Sequence, residues 1–429
     1  MSPLHLHADF HKVLDLLERD KKNLFITGRA GTGKSTLLQL FRKTTDKKHV
    51  VLAPTGVAAL NVRGQTIHSF FNFPPRLFDA RQIRPGKQAG LIKKLDLLLI
   101  DEISMVRADI LDAVDYCLRK IRNNALPFGG VQVAFFGDLF QLPPVVTADS
   151  RDWLKQNGYA TPYFFSAHLF YRYPDFLEMF ELRKIYRQDN LLFIRLLEAV
   201  RTNTADNDDL SLLNERCGQT YLPEENHITL CARNHTADRL NQQKLDSLDT
   251  PAQTYIANVT GNFPPNLYPT ELGLTLKKGA QIMILRNDPE GAYVNGSVGT
   301  ILSLEPKNVV VSLQEDDGLA RELTLEPTSW EILQYHLDSS DPGKIQTETL
   351  GTFTQLPVKL AWGVTIHKAQ GKTFQKLTID LEGGAFEFGQ TYVALSRCRS
   401  LEGIILKRPL QPADLRTDPA VLDYYRQWS

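Results

Sequence analysis

Short apolar runs, each closed by glycine or acidic residues, set the rhythm of the first third of the chain. NLFITGRAGTGKSTLLQLFRK (23–43) reads as an apolar strand, a glycine-rich turn and then a helix. HVVLAP (49–54) is a second strand. In KLDLLLIDEISMV (94–106), the run from Leu97 to Ile100 predicts a strand buried on both faces of a parallel sheet, with Asp101 and Glu102 at its C-terminal edge. VQVAFFGDLFQLPPVV (131–146) adds a strand ending at Gly137 and Asp138. HITLCAR (227–233) and AQIMIL (280–285) read as strands of a second α/β unit, around a helix at 236–248. From about Val298 the pattern changes to short β-rich runs, GTILSL, NVVVSL, RELTLEP, SWEILQYHL and TETLGTFTQ, separated by turn signals. α/β character returns at PVKLAWGVTIH (357–367).

Composition narrows this picture little. The chain has 429 residues, enough for several domains, and 42% hydrophobic with 23% charged residues suits globular cores. Its four cysteines have no paired spacing, which argues against a disulfide framework or a zinc site and suits a reducing compartment. No secretory signal and no membrane-length apolar run is seen, so the expected location is the cytoplasm, with no membrane partner. Formal net charge is zero, so any surface for a polyanion must be local.

The chemistry concentrates at the strand edges. Glycines 28, 31 and 33 let backbone N–H groups turn toward phosphates at a helix N-terminus, with Ala30, Thr32 and Thr36 in the same cradle. Lys34 is placed to reach the outer phosphates of ATP, and the Ser35 hydroxyl to sit on Mg²⁺. Open α/β sheets bind ligands at the carboxyl ends of their strands, where Asp101 would hold Mg²⁺ and Glu102 would polarise the attacking water. Gln141, just past the next strand, is a neutral amide suited to testing for a terminal phosphate. A later Gly371-Lys372-Thr373 is not a second such loop, because Ile366 holds the position where the pattern needs its first glycine.

Taken in order, GRAGTGKST, APTGVAALNVRGQTIHSFF, LLLIDEISMV, GDLFQLPPV, LRKIYRQDN, AWGVTIHKAQGKTF and TYVALSRCRS resemble the superfamily 1 DNA helicases, and more narrowly the petite-integration-frequency (Pif) family related to RecD. The resemblance runs from about Asn23 to Leu406. It implies an α/β fold of two RecA-like P-loop NTPase domains, residues 1–71 with 93–175 and residues 176–298 with 355–429. A strand-separating pin would be inserted at 72–92 and a small Src-homology-three-like β-barrel at 299–354. It also implies that Arg187 and Arg397 reach the γ-phosphate from the second domain. Thr365, His367 and Lys368 would face a single strand, and Gln370 and Gly371 the ATP cleft. Independently of the family, phosphoryl transfer is catalysed mainly by charge placed around the moving group, and one arginine finger contributes roughly 10³–10⁵ in rate.

Residues near the second strand complete the expected DNA surface. Thr55, Gly56, Thr66, His68 and Ser69 suit phosphate contacts, and Phe70 is a candidate for base stacking. Segment 72–94 carries Arg76, Arg81, Arg84, Lys87, Lys93 and Lys94 against Asp79 alone, a basic excess that suits the pin. The glutamine that relatives carry upstream of the P-loop is missing here, the first being Gln39 inside the loop's own helix. Adenine preference is therefore not written in the expected place. The resemblance implies a monomer that moves 5′ to 3′ on single-stranded DNA and opens single/double-strand junctions, extending to guanine quadruplexes. Two rivals stay open: an ATP-binding switch that does not move, and an RNA helicase of the same superfamily.

Overall fold

The computed structural model describes residues 7–74, 76–83, 86, 88–219, 227–288, 291–314, 320–338 and 344–428. Its first lobe is built on a six-stranded sheet of β1 (Leu24–Gly28), β2 (His49–Ala53), β3 (Gln65–Thr66), β4 (Leu97–Ile100), β5 (Gln132–Phe136) and β6 (Glu178–Leu182). The spatial order is β3-β2-β4-β5-β1-β6, and every pairing is parallel. All residues of β1 and β4 are buried, as continuous apolar runs covered on both faces require. The P-loop, the Asp101-Glu102 pair and the Asp138–Gln141 turn follow β1, β4 and β5, so parallel pairing delivers all three to one edge.

The second lobe has a smaller parallel sheet in the order Gly363–Thr365, Ile228–Cys231, Leu377–Asp380, Ile404–Leu406. Strands from Ala252 to Leu360 form a separate antiparallel unit. One of its sheets has five strands, Ala320–Leu325, Val309–Gln314, Val298–Leu304, Gln281–Ile284 and Val358–Leu360. A second sheet pairs Thr328–Leu337, Ile345–Gln355 and Asn258–Gly261, and a two-stranded ladder joins Ala252–Ile256 to Gly273–Lys277.

Three of the expected boundaries move. The division at 175/176 is too early, since β6 pairs with β1 from Leu24↔Glu178 to Gly28↔Leu182 and belongs to the first sheet. The antiparallel insertion is wider than 299–354: AQIMIL pairs antiparallel with Val298–Leu304 and Val358–Leu360, not with the parallel sheet. All four residues of Gln281–Ile284 are buried, so its apolar run looks the same in either sheet type. The C-terminal helix Pro419–Arg426 returns to the first lobe, where Tyr424 stacks on Phe165 at 4.3 Å and the Tyr425 hydroxyl meets Thr27 Oγ1 at 2.5 Å. The long hairpin of the antiparallel unit also reaches that lobe, with the Tyr335 hydroxyl accepting from Val51 N–H at 3.0 Å. Within the basic segment 72–94 a 3₁₀ turn (Ala80–Gln82) and a helix (Ala89–Lys94) are described, while Arg84 and Lys87 lie outside the described residues.

Candidate functional site

The phosphate loop is preformed. Gly31 and Gly33 both have φ +83°, a conformation that L side chains rarely adopt. Space forbids a side chain as well: a Cβ on Gly31 would lie 2.6 Å from Arg187 Cβ, and one on Gly28 2.7 Å from the Leu182 carbonyl oxygen. Helix Lys34–Thr44 starts at Gly33 with no side-chain cap, leaving its first amides for a ligand. Ser35 and Thr36 are exposed at this end, whereas Ala30 and Thr32 are buried. Thr32 Oγ1 donates to the Arg29 carbonyl at 2.9 Å. Lys34 Nζ folds back to donate to the Gly28 and Arg29 carbonyls at 2.7 and 3.0 Å. Burial lowers its pKa, opposed by the charges of Asp138 and Glu102.

Two carboxylates face this loop. Burial, then the neighbouring Glu102, pushes Asp101 up to about 7. Glu102 is also raised by burial, against the pull of Lys34 and Arg397. Its backbone is left-handed, φ 50°, which costs a non-glycine residue of order 1–3 kcal/mol and recurs where function fixes a side chain. Two adjacent carboxyls whose ionised forms burial disfavours supply oxygen ligands that a hard cation would favour in the ionised state. Among the described residues, no group of three or more His, Cys, Asp or Glu could cage a metal alone.

The second lobe closes the site. Arg187 Nη1 donates to the Ser396 carbonyl at 3.0 Å. Arg397, 1% exposed, donates from Nε to the Val393 carbonyl at 2.9 Å and from Nη2 to Ser396 Oγ at 2.8 Å. Burial lowers both, Arg187 to about 9 with help from Arg397's charge, and Arg397 to about 10. Two guanidiniums held side by side by neutral acceptors are arranged for an incoming anion. Gln370 Nε2 donates across the cleft to Glu102 Oε2 at 3.2 Å and Gln141 Oε1 at 3.3 Å. Gly371, φ +79°, is exposed with open space where a Cβ would lie.

The expected strand-binding residues divide. His68 is partly buried and Ser69 exposed at the end of the first lobe, and Lys368 is exposed on the second. Thr55 and Thr66 spend their hydroxyls as helix caps, accepting from Ala58 N–H and Ser69 N–H, both at 3.2 Å. Gly56 packs under Leu267 of the antiparallel unit. His367 Nε2 lies 3.0 Å from Glu387 Oε2. Two assignments are corrected. Phe70 is 2% exposed, packed edge-on against Phe71 (4.9 Å) and Tyr335 (6.2 Å), so its ring is core and offers no face to a base. Thr365 is 4% exposed, with its hydroxyl accepting from Lys368 N–H at 3.4 Å, so it shapes the turn and does not face a strand.

Sequence reasoning missed several neighbours. Asp138 is buried against Arg201, Tyr392 and Gln141. Lys359 and Lys372 sit near Lys368; burial, then these two neighbouring charges, takes Lys359 down to about 7, while burial takes Lys372 to about 8. Asp138, Tyr392 and Lys372 lie inside the quoted motifs GDLFQLPPV, TYVALSRCRS and AWGVTIHKAQGKTF but carried no role there, while Arg201 and Lys359 lie outside every motif.

Comparison with known proteins agrees with this geometry. Residues 6–190 match the model of the PIF1-like helicase family. The ATP-dependent DNA helicase Pif1 of Bdellovibrio bacteriovorus is 32% identical over 443 residues, covering 100% of this chain and 94% of that protein. The Bacteroides Pif1 structure in complex with ADP-AlF4 superposes with a TM-score of 0.89 at 37% identity, covering 99% of this chain and 97% of that one. Bacteroides Pif1 bound to single-stranded DNA has the same identity and coverage but a TM-score of 0.69.

Proposed function

The chain belongs to the PIF1-like helicase family, and from that premise we propose that it is an ATP-dependent DNA helicase that translocates 5′ to 3′ on single-stranded DNA and unwinds duplex. The observation that carries this reading is the meeting of Lys34 and Glu102 from one lobe with Arg187, Arg397 and Gln370 from the other. A site completed only when both lobes meet couples nucleotide occupancy to lobe separation.

ATP would lie on the loop from Gly28 to Thr36, with Lys34 leaving its carbonyl partners for the outer phosphates. Ser35 and Asp101 are the residues that would hold Mg²⁺, which when bound neutralises charge building on the phosphates. Glu102 orients and deprotonates the attacking water, and Gln141 donates an amide hydrogen to the terminal phosphate. Arg187 and Arg397 turn from neutral carbonyl and hydroxyl partners to the phosphoryl group, where their charge counts most in a site with little water.

The single strand would cross both lobes, along Ser69 and His68 and then Lys368 with Lys359 and Lys372. The lower score against the single-strand complex supports a rearrangement on DNA binding. Monomeric action, guanine quadruplexes as substrates and a cytoplasmic location belong to the same proposal. Among the described residues no helix is long and apolar enough to cross a membrane.

The test is an unwinding assay on 5′-tailed and 3′-tailed duplexes, each with and without ATP. Unwinding of the 5′-tailed substrate alone, and only with ATP, is expected. A 3′ preference would overturn the polarity, and hydrolysis without strand separation on either substrate would overturn the helicase assignment.

A further inference from the structure

Asp138 is 1% exposed, and four donors converge on its carboxylate. Oδ1 accepts from Phe140 N–H at 3.2 Å and Arg201 Nη2 at 3.4 Å. Oδ2 accepts from Gln141 Nε2 at 3.2 Å and the Tyr392 hydroxyl at 3.3 Å. Phe140 and Gln141 are local, but Arg201 ends the helix Leu191–Arg201 and Tyr392 lies in the helix Gln390–Leu395, both beyond the last strand of the first sheet. The Tyr392 oxygen also accepts from the P-loop amide of Ala30 at 2.9 Å. One phenol thus joins the phosphate loop, the Asp138 turn and the helix Gln390–Leu395 that leads into Arg397.

The consequence falls on the Gln141 amide. Its nitrogen carries two hydrogens, and Asp138 takes one, which fixes which end of the amide is nitrogen. Its oxygen, turned the other way, accepts from Gln370. The second N–H is left for an anion. With Asp138 displaced, only the Gln370 contact would oppose the amide turning over and presenting its oxygen to the phosphate.

Arg201 holds the carboxylate from behind. It is 3% exposed, stacks 4.1 Å from the centre of the Phe140 ring, and lies 3.4 Å from Glu198 Oε1. Glu198 in turn pairs with Arg29 of the P-loop at 2.8 Å. Burial, together with the charge of Asp138, raises the Tyr392 pKa, so the phenol stays a donor at any working pH.

We infer that Tyr392 is a positioning residue for hydrolysis: by bridging Ala30 and Asp138 across the cleft, it holds the Gln141 amide with its free N–H toward the terminal phosphate whenever the lobes are closed. This rests on the ATPase reading above and adds to it a residue that senses closure without touching the nucleotide. Arg201 anchors the same carboxylate.

The experiment is steady-state ATP hydrolysis by the full chain with saturating single-stranded DNA, comparing the parent with Tyr392→Phe, Asp138→Asn and the double variant. Tyr392→Phe keeps the ring and removes only the hydroxyl. A fall in kcat of about tenfold, the size expected for losing a hydrogen bond to a charged group, is predicted with KM for ATP changed less than twofold. The double variant should lose no more than Asp138→Asn, because both act through one contact. Parental kcat in Tyr392→Phe overturns the inference. So does a loss that adds fully to that of Asp138→Asn, or one that falls on KM and melting temperature together, which marks a packing role. Absence of DNA-stimulated hydrolysis in the parent would instead remove the helicase reading itself, so the two failures are told apart.

Discussion

Gln370 and Glu102, far apart in sequence, lie 3.2 Å apart across the cleft, with the Gln370 amide donating to the carboxylate. The same nitrogen reaches Gln141. Gln370 follows Lys368 by one short turn, so one segment carries both the proposed strand contact and a hand on the water-activating group. Removing the amide by Gln370→Ala should leave ATP binding close to parental and cut stimulation of hydrolysis by single-stranded DNA about tenfold. The ratio of hydrolysis rates with and without DNA measures it; an unchanged ratio would leave Gln370 without a relay role.

Glu102→Gln should bind ATP and fail to turn it over, with kcat down by about 10²–10⁴, the usual range for losing a general base. Burial already raises Glu102, so the charged form is disfavoured in the folded protein above its ordinary range. The neutral variant should therefore melt no lower than the parent at pH 8. Nucleotide-analogue binding, single-turnover hydrolysis and a melting curve test the three parts.

Lys359 offers the pH dependence. Its folded pKa of about 7 lies below the ordinary 10.5, so between these values the unfolded chain holds the extra proton. Stability from this group is full above pH 10.5, declines as pH falls toward 7, and is constant below. Lys359→Met should raise the melting temperature at pH 7, with the gain shrinking as pH rises toward 10. It should also weaken binding of single-stranded DNA and lower the salt slope of log affinity by about 1. Stability gained where binding is lost would mark a group retained for function. Melting curves across pH and salt titrations with a labelled oligonucleotide check both halves.

Legibility in the sequence followed physical rules. β1, β4 and β5 were readable because a parallel strand is apolar along its whole length and its polar residues gather at one edge, as Asp101 and Glu102 do. AQIMIL has the same apolar character yet lies in an antiparallel sheet, since burial on both faces erases the alternation that would separate the two. Phe70 looked like a stacking ring because its neighbours Ser69 and His68 are polar. Its burial depends on Tyr335 arriving from a distant hairpin. Tyr392 and Arg201 could not be found from spacing, because Asp138 meets them only once two lobes fold together.

The central claim is that one ATP is held between two lobes and cleaved with charge supplied from the second. DNA-stimulated hydrolysis by Arg187→Ala and Arg397→Ala tests it most directly. Each variant should keep the fold and lose about 10³ or more in kcat. Turnover near the parental rate in either would place that guanidinium outside the reaction and contradict the account.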